Sequence, residues 1–170
     1  MSKFINNKEI NFIKNTHNYL NKLHNSFSDE VIIQIMSLSN ELLKVWKEKK
    51  VVYVCGNGGS AANAIHIAND FIFGAGACGD GPSIEGLRIE ALSSNSAILT
   101  CIANDVSYEE IFSTQIKTKG NKGDILIVLS GSGNSKNIIN AVKASRNIGI
   151  KSFAILGYDG GICKDEADEV

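Results

Sequence analysis

The apolar residues of the first 49 positions recur at helical spacing. From about Lys8 to Phe27 they fall three or four positions apart, and a second such segment runs from about Asp29 to Lys49. Residues at this spacing share one face of a helix, and in the second segment that face comprises Ile32, Ile35, Met36, Leu43 and Trp46. Ser26 or Ser28 is suited to cap the second helix. The pattern predicts two N-terminal helices that either join copies of the chain or pack on their own domain.

From Lys50 onward the pattern changes to short apolar runs that alternate with amphipathic segments. The predicted strands are Val51–Cys55, Arg88–Leu92, Ile125–Leu129 and Lys151–Leu156. The predicted helices are Ala61–Phe73, Ser96–Ala103, Tyr108–Lys117 and Asn134–Asn147, with a glycine-rich loop over Gly74–Gly86. This alternation predicts an α/β fold, a three-layer α-β-α sandwich with a parallel sheet, preceded by the N-terminal helical pair.

Length and composition favour an ordinary globular protein. Of the 170 residues, 44% are hydrophobic and 21% are charged, which is typical of such proteins. We therefore expect a single domain, with N-terminal helices over 1–49 and an α/β core over 50–170. The formal net charge is −1. Since nucleic-acid-binding surfaces normally carry a basic excess, we expect no nucleic-acid partner.

The sequence also argues against membrane insertion and secretion. No apolar run reaches the ~18 residues that a membrane span requires, and the N-terminus lacks the features of a signal peptide. The four cysteines form no Cys-x-x-Cys pair and lie largely among apolar residues, which indicates buried, reduced thiols. We therefore expect a cytoplasmic protein with no membrane partner.

Two glycine- and hydroxyl-rich turns, 56–60 and 130–135, each follow a predicted strand and precede a predicted helix. Backbone N–H groups at such a turn hold phosphate well. The second turn lacks the lysine of a nucleotide-triphosphate loop and the spacing of a dinucleotide fingerprint, so its hydroxyls suit a monophosphate ester. A serine-rich turn that merely caps a helix is the alternative. Both turns lie where strands end, which is where ligands collect in parallel sheets.

Further polar residues near these turns are candidates for the chemistry. Asn57 and Ser60 are suited to contact sugar hydroxyls, although Asn57 also tolerates left-handed backbone geometry and could have a conformational role only. His66 and Asp70 lie four positions apart on one helical face, where they could bind zinc or transfer protons. A lone histidine on an apolar helix is, however, more often structural. Asp105 follows a helical run and is equally explained as a helix stop. The acidic stretch 165–169 is most simply a solvated turn.

Taken together, these motifs resemble the sugar isomerase (SIS) fold, and within it the phosphoheptose isomerases. The resemblance covers essentially the whole chain. It rests on Cys-Gly-Asn-Gly-Gly-Ser at 55–60, Ala-Asn-Asp at 103–105, Gly-Asp-Ile-Leu at 123–126, Ser-Gly-Ser-Gly-Asn-Ser at 130–135 and Gly-Tyr-Asp-Gly-Gly at 157–161.

The resemblance implies an isomerase that interconverts sedoheptulose 7-phosphate and D-glycero-D-manno-heptose 7-phosphate through an enediol, for the heptose of a surface polysaccharide. It implies that Ser130, Gly131, Ser132 and Ser135 hold the phosphate. The implied sugar contacts are Asn57, Gly58, Gly59, Ser60 and Asp105. His66 matches a zinc-ligand histidine of the family, and Asp70 matches the glutamate that is both ligand and catalytic base. Zinc is thus the implied cofactor and a homotetramer the implied assembly.

The sequence departs from the family pattern in three places. Asp70 is one methylene shorter than the family's glutamate. The glycine-rich loop over Gly74–Gly86 replaces a shorter, more basic one. The family also continues with a strand and a long helix that supplies a glutamine and a histidine, so we expect the 50–170 core to lack that helix. These departures keep two alternatives open: a non-catalytic SIS protein that binds a sugar phosphate or a replication-initiator partner, and an SIS enzyme for a hexose or amino-sugar phosphate.

Overall fold

The computed structural model describes residues 7–74 and 85–170. The chain divides into two compact units, one ending at Leu38 and the other beginning at Ser39. This boundary lies inside the second helix, whereas the sequence placed the core's start near residue 50. The expectation of a single domain stays a prediction.

The first unit is helical, as the apolar spacing predicted. It holds helix α1, Asn7–Asn25, and the first part of helix α2, Asp29–Lys47. Ser28 precedes α2, and its hydroxyl oxygen accepts a hydrogen bond from the Val31 N–H at 3.4 Å. Large apolar side chains on both helices are exposed, namely Ile10, Phe12, Ile13, Tyr19, Leu20, Leu23, Ile32, Ile33, Ile35 and Met36.

The second unit contains the parallel sheet. Its strands are β1 (Val52–Gly56), β2 (Ile89–Ala91), β3 (Ile125–Ser130) and β4 (Lys151–Leu156). All pairs are parallel, in the order β2-β1-β3-β4. Strands β1 and β3 are fully buried, as expected of β-branched and aliphatic runs covered on both faces. The predicted fold class is confirmed.

Helices connect the strands, and one more helix follows β4. In chain order they are α3 (Gly59–Asn69), α4 (Ser96–Asp105), α5 (Ser113–Lys119), α6 (Lys136–Ile148) and α7 (Gly161–Glu166). The β1-to-β2 connection runs across the sheet in the opposite direction from the two later connections. Because such crossovers are right-handed, α3 lies on one face of the sheet and α4 to α6 lie on the other.

Several predicted element boundaries were wrong, for local reasons. The helix predicted over Tyr108–Lys117 is a 3₁₀ turn, Tyr108–Glu110, followed by α5. The helix predicted from Asn134 begins at Lys136, because Ser135 has extended backbone angles. Helix α3 passes into a π-helical turn, Asp70–Gly74. Most of the predicted glycine-rich loop, residues 75–84, lies outside the described residues.

The core lies mainly between the sheet and helices α5 and α6. Tyr53 on β1 and Leu126 on β3 pack there with Phe112 and Ile138. The Tyr53 hydroxyl donates to the Lys119 carbonyl oxygen at 3.0 Å, and burial raises the pKa of Tyr53 to about 12. On α2, Val45 is buried, whereas the side chains of Ile32, Ile35, Met36 and Leu43 on its predicted apolar face are exposed.

The thiols are only partly as predicted. Cys55 and Cys163 are buried and free, and burial raises the pKa of both. Cys101 is exposed, so the prediction of buried thiols is wrong there. Cys78 lies outside the described residues.

Among the helices that the structure describes, none combines the length and apolarity that a membrane span requires.

The acidic stretch near the C-terminus is part of the fold and not a solvated turn. The Asp168 carboxylate accepts hydrogen bonds from the backbone N–H and the hydroxyl of Ser152, both at 2.7 Å. Glu169 forms a parallel bridge with Phe153 on β4, and its carboxylate pairs with Lys151 at 2.6 Å. The stretch after α7 therefore lies along the β4 edge of the sheet.

Glycines allow two turns to pack against each other at the carboxyl ends of β3 and β4. Gly133 has φ +64°, and a Cβ there would lie 1.8 Å from the Gly160 carbonyl oxygen. A Cβ on Gly161 would lie 2.4 Å from the Ser132 carbonyl oxygen. Any larger residue at these positions would force the backbones apart, so these glycines set the shape of the 130–135 turn.

We expect Gly133→Ala to destabilise the protein by about 2–4 kcal/mol, because it combines a left-handed backbone with a backbone clash. The measurement is the free energy of unfolding in urea. Gly131→Ala is the matched control, since a Cβ at Gly131 meets nothing within 4 Å. Equal stability of the two variants would contradict the packing described here.

Candidate active site

The first glycine-rich turn connects β1 to α3 and requires glycine at two positions. A Cβ on Gly56 would lie 2.7 Å from the Ser60 carbonyl carbon. Gly58, which precedes α3, has φ +54° and ψ −120°, a conformation that only glycine adopts readily. The Ser60 N–H donates to the Asn57 carbonyl oxygen at 3.0 Å. This sharp turn points the N-terminus of α3 toward the carboxyl edge of the sheet.

The Asn57 side chain forms hydrogen bonds with two other side chains of the protein. Its amide forms two reciprocal hydrogen bonds with the amide of Asn137, at 2.9 and 2.8 Å. The Tyr108 hydroxyl also donates to Asn57 Oδ1 at 3.0 Å. Neither Asn137 nor Tyr108 was singled out from the sequence, because their contact with Asn57 depends on strand order.

The second turn, 130–135, carries its hydroxyls in different surroundings. Ser130 is buried, and its Oγ accepts a hydrogen bond from the Gly133 N–H at 3.1 Å. Ser132 is exposed, and its Oγ accepts from the Asn134 N–H at 3.3 Å. Ser135 is the N-cap residue of α6, and its hydroxyl does not bond the helix backbone. The first N–H groups of α6 have no partner within the helix, so this turn can hold an anion.

A cleft of about 370 Å³ opens at the carboxyl ends of β3 and β4. It brings together four predicted site residues: Ser60 and His66 of α3, and Ser130 and Gly131 of the second turn. The other lining residues are Asn63, Ile67, Leu129, Ile155, Leu156 and Gly157. Asn63 could have been found from the sequence, because it lies one helical turn from both Ser60 and Ile67.

The cleft does not collect every predicted site residue. Within the described part of the chain, its lining excludes Asn57, Gly58, Gly59, Asp70, Asp105, Ser132 and Ser135. Asp105 ends α4, is exposed, and accepts from the Asn104 amide at 2.8 Å. Its carboxylate also bonds the Cys101 thiol, which raises the pKa of that thiol. Among the described residues, the side-chain hydrogen bonds of Asp105 thus stay within α4.

His66 and Asp70 form the pair that the sequence predicted. His66 Nε2 lies 3.4 Å from Asp70 Oδ2, and the two side chains are 74% and 56% exposed. Ion pairs so exposed contribute little to stability. Asp70 begins the π-helical turn, a feature often found at functional sites. The pair is therefore accessible to a ligand and is not needed to hold the fold.

The described residues do not complete a zinc site. His66 and Asp70 offer two ligands, whereas a catalytic zinc site uses three protein ligands and a structural one uses four. Among residues 7–74 and 85–170 there is no group of three or more His, Cys, Asp or Glu side chains able to hold a metal ion. We therefore derive no chemical step through a metal.

Comparison with known proteins agrees with this architecture. The family model for the SIS domain matches residues 12–157. The chain is 41% identical to the phosphoheptose isomerase of Clostridium acetobutylicum over 139 residues, which cover 82% of this chain and 68% of the relative. It is 38% identical to phosphoheptose isomerase 2 of Campylobacter jejuni over 82% of this chain and 67% of the relative.

Solved structures give the same result. A phosphoheptose isomerase from Neisseria gonorrhoeae superposes with a TM-score of 0.75 at 29% identity, covering 95% of this chain and 83% of that one. One from Francisella tularensis gives a TM-score of 0.76 at 25% identity, covering 95% and 82%. The chain therefore belongs to the phosphoheptose isomerases of the SIS domain family.

We expect Ser132→Ala to weaken the binding of a sugar phosphate by about 1–3 kcal/mol, because an exposed hydroxyl that can donate to a phosphate oxygen is lost. Isothermal titration calorimetry measures the affinity. Thr118→Ala is a suitable control, since the Thr118 hydroxyl bonds only the Thr114 carbonyl oxygen, at 2.9 Å on α5. Unchanged affinity in Ser132→Ala would remove Ser132 from the phosphate site.

Proposed function

We propose that this isomerase interconverts sedoheptulose 7-phosphate and D-glycero-D-manno-heptose 7-phosphate. The observation that carries the proposal is the cleft in which a phosphate-type turn after β3 and the imidazole of α3 line the same space. The 41% identity to a phosphoheptose isomerase supports the substrate class. We extend the proposal to heptose biosynthesis for a surface polysaccharide, in the cytoplasm.

In this proposal the 130–135 turn holds the phosphate. Ser130, Ser132 and Ser135 contribute hydroxyls, and the Gly131 amide contributes an N–H. The N-terminus of α6 adds a partial positive charge. Lys136, the basic residue that follows the turn in the sequence, is paired with Glu109 at 2.8 Å, and this hydrogen bond raises the pKa of Lys136. The phosphate is therefore held mainly by neutral donors.

The sugar occupies the space next to the first turn. Asn57, Gly58, Gly59 and Ser60 contact its oxygens, and Asp105 contacts its hydroxyls from α4. Small residues at 58 and 59 support this role, since a Cβ on either would meet nothing within 4 Å. The backbone of this turn is therefore open to a ligand.

Isomerisation requires a proton to leave C1 of the ketose and a proton to reach C2, through an enediol. We assign this transfer to the His66–Asp70 pair. The Asp70 carboxylate accepts the proton from C1 and returns it to C2, while His66 transfers the proton of O1 to O2. The 3.4 Å separation of Nε2 and Oδ2 supports concerted action of the two groups. Zinc is part of the proposal only as an ion that both side chains would ligate.

A second candidate function is a non-catalytic sugar-phosphate binder. One feature of the chain favours it: an aspartate stands at position 70, where the resemblance to the family implies a glutamate, so the carboxylate is one methylene shorter. In this candidate the 130–135 turn still binds the phosphate, but His66 and Asp70 transfer no proton. A measurement of turnover distinguishes the binder from the isomerase.

The first experiment follows by NMR the exchange of the C1 protons of sedoheptulose 7-phosphate with solvent, with and without zinc. We expect exchange in the wild type and a loss of about 10²–10⁴-fold in Asp70→Ala. Asp70→Glu should retain turnover, because the longer carboxylate extends the same group.

Asp165→Ala is the control, since Asp165 is exposed on α7. Sugar-phosphate binding without exchange, in both wild type and Asp70→Glu, would contradict catalysis and support the binder. Zinc titration of wild type and His66→Ala by calorimetry tests metal binding independently of turnover.

We also propose a homotetramer assembled through the N-terminal helices. The exposed apolar side chains of the first unit support it, because large exposed apolar surfaces usually mark interaction sites. Ile35, for example, is 50% exposed. Both the number of subunits and the contact through the N-terminal helices belong to the proposal.

We expect Ile35→Lys to dissociate the assembly, because it places a charge on that apolar surface. Sedimentation velocity measures the change in mass. Gln34→Lys adds the same charge at an exposed, already polar position of α2 and should leave the mass unchanged. A wild type that sediments as a monomer would refute this part of the proposal.

A further inference from the structure

The amide pair between Asn57 and Asn137 joins the two turns of the candidate site. The residues are 80 positions apart, and each amide both donates to and accepts from the other. They meet because β1 and β3 are neighbours, with Gly56 paired to Leu129 in the sheet. Asn137, in the first turn of α6, is 2% exposed. The buried Asn137 amide is therefore paired with a residue that is a proposed sugar contact.

Counting donors and acceptors shows what Asn57 has left for a ligand. An asparagine side chain has an oxygen with two lone pairs and a nitrogen with two N–H donors. In the described structure, Asn57 Oδ1 accepts from Asn137 Nδ2 and from the Tyr108 hydroxyl. One N–H is donated to Asn137 Oδ1. The oxygen is saturated, and a single N–H donor remains.

We propose that Asn137 is a positioning residue, assisted by Tyr108, that holds Asn57 as a fixed N–H donor for a sugar oxygen. This inference rests on the proposed function. A donor held in place before the reaction stabilises negative charge on an oxygen without reorganising. It also selects an oxygen with a free lone pair over a group that donates. Asn137 acts only through Asn57 and does not touch the substrate.

A double-mutant cycle tests whether Asn137 acts through Asn57. The variants are Asn57→Ala, Asn137→Ala and the double variant, and kcat/KM is the measured quantity. We expect each single variant to lose about 10- to 100-fold, and the double variant to lose no more than Asn57→Ala. If the two losses multiply, Asn137 has a separate structural role and the inference is overturned.

Asn140→Ala is the matched control, one turn further along α6. The Asn140 amide donates to the Glu109 carbonyl oxygen at 3.2 Å and to Glu110 Oε1 at 2.8 Å. This variant also loses side-chain amide hydrogen bonds on α6, without removing a partner of Asn57. We expect its kcat/KM to stay within about twofold of the wild type once both are folded.

Asn137→Asp provides a test by pH, in case Asn137→Ala does not fold. A protonated carboxyl donates and accepts like the amide and can rebuild the pair, whereas a carboxylate can only accept and repels Asn57 Oδ1. Burial beside that oxygen raises the carboxyl pKa. The activity of Asn137→Asp relative to wild type should therefore rise as pH falls through that pKa. A ratio independent of pH would count against the inference.

Side-chain amide NMR of the free protein keeps the inference testable without turnover. In the wild type, one Asn57 amide proton should exchange slowly, because it is donated to Asn137. Both protons should exchange fast in Asn137→Ala and be unaffected in Asn140→Ala. If the wild type does not turn over, the proposed function fails, yet this comparison still decides the positioning role. An unchanged Asn57 exchange rate in Asn137→Ala would overturn it.

Discussion

The backbone contact between the 130–135 turn and the turn that follows β4 is the constraint on which the candidate site depends. A Cβ on Gly133 would lie 1.8 Å from the Gly160 carbonyl oxygen, and a Cβ on Gly161 would lie 2.4 Å from the Ser132 carbonyl oxygen, so the two turns have no room for larger residues at these positions. Hydrogen bonds reinforce the contact: the Cys163 N–H donates to the Gly133 carbonyl oxygen at 2.9 Å, and the Ile162 N–H donates to Asn134 Oδ1 at 3.0 Å. Residues at the start of α7 therefore hold the 130–135 turn in place through its last residues. Gly131 and Ser132 stay exposed and can contact a ligand.

The register of the sheet places the other turn of the candidate site beside the 130–135 turn. Gly56 at the end of β1 pairs with Leu129, and Ser130 pairs with Leu156. The three strand ends are thus level, so both glycine-rich turns and Gly157 reach the same edge. Because parallel strands end on one side of the sheet, residues far apart in the chain meet there without any long-range sequence signal.

The polar side chains that stabilise the fold differ in burial and hydrogen bonding from those proposed to act in the reaction. Asp124 is 2% exposed, and its carboxylate accepts from the Val51 N–H at 2.9 Å and from the Asn121 N–H at 2.8 Å. Such a buried, fully bonded carboxylate is structural. His66 and Asp70 are mostly exposed, and within residues 7–74 and 85–170 their side chains pair with neighbours close in the sequence. Substituting either residue should change the free energy of unfolding little, as expected of side chains that bind a ligand and do not stabilise the fold.

The sequence alone predicted the parallel α/β fold, because continuous apolar runs and amphipathic segments have different periods. It also predicted both glycine-rich turns and the His66–Asp70 pair, since these depend on residues adjacent in the chain or one helical turn apart. The tertiary structure decided which candidates share a cleft: Ser60, His66, Ser130 and Gly131 do, whereas Asp105 does not. It also decided the partner of Asn57, because strand order, which no local pattern encodes, brings Asn137 to within hydrogen-bonding distance.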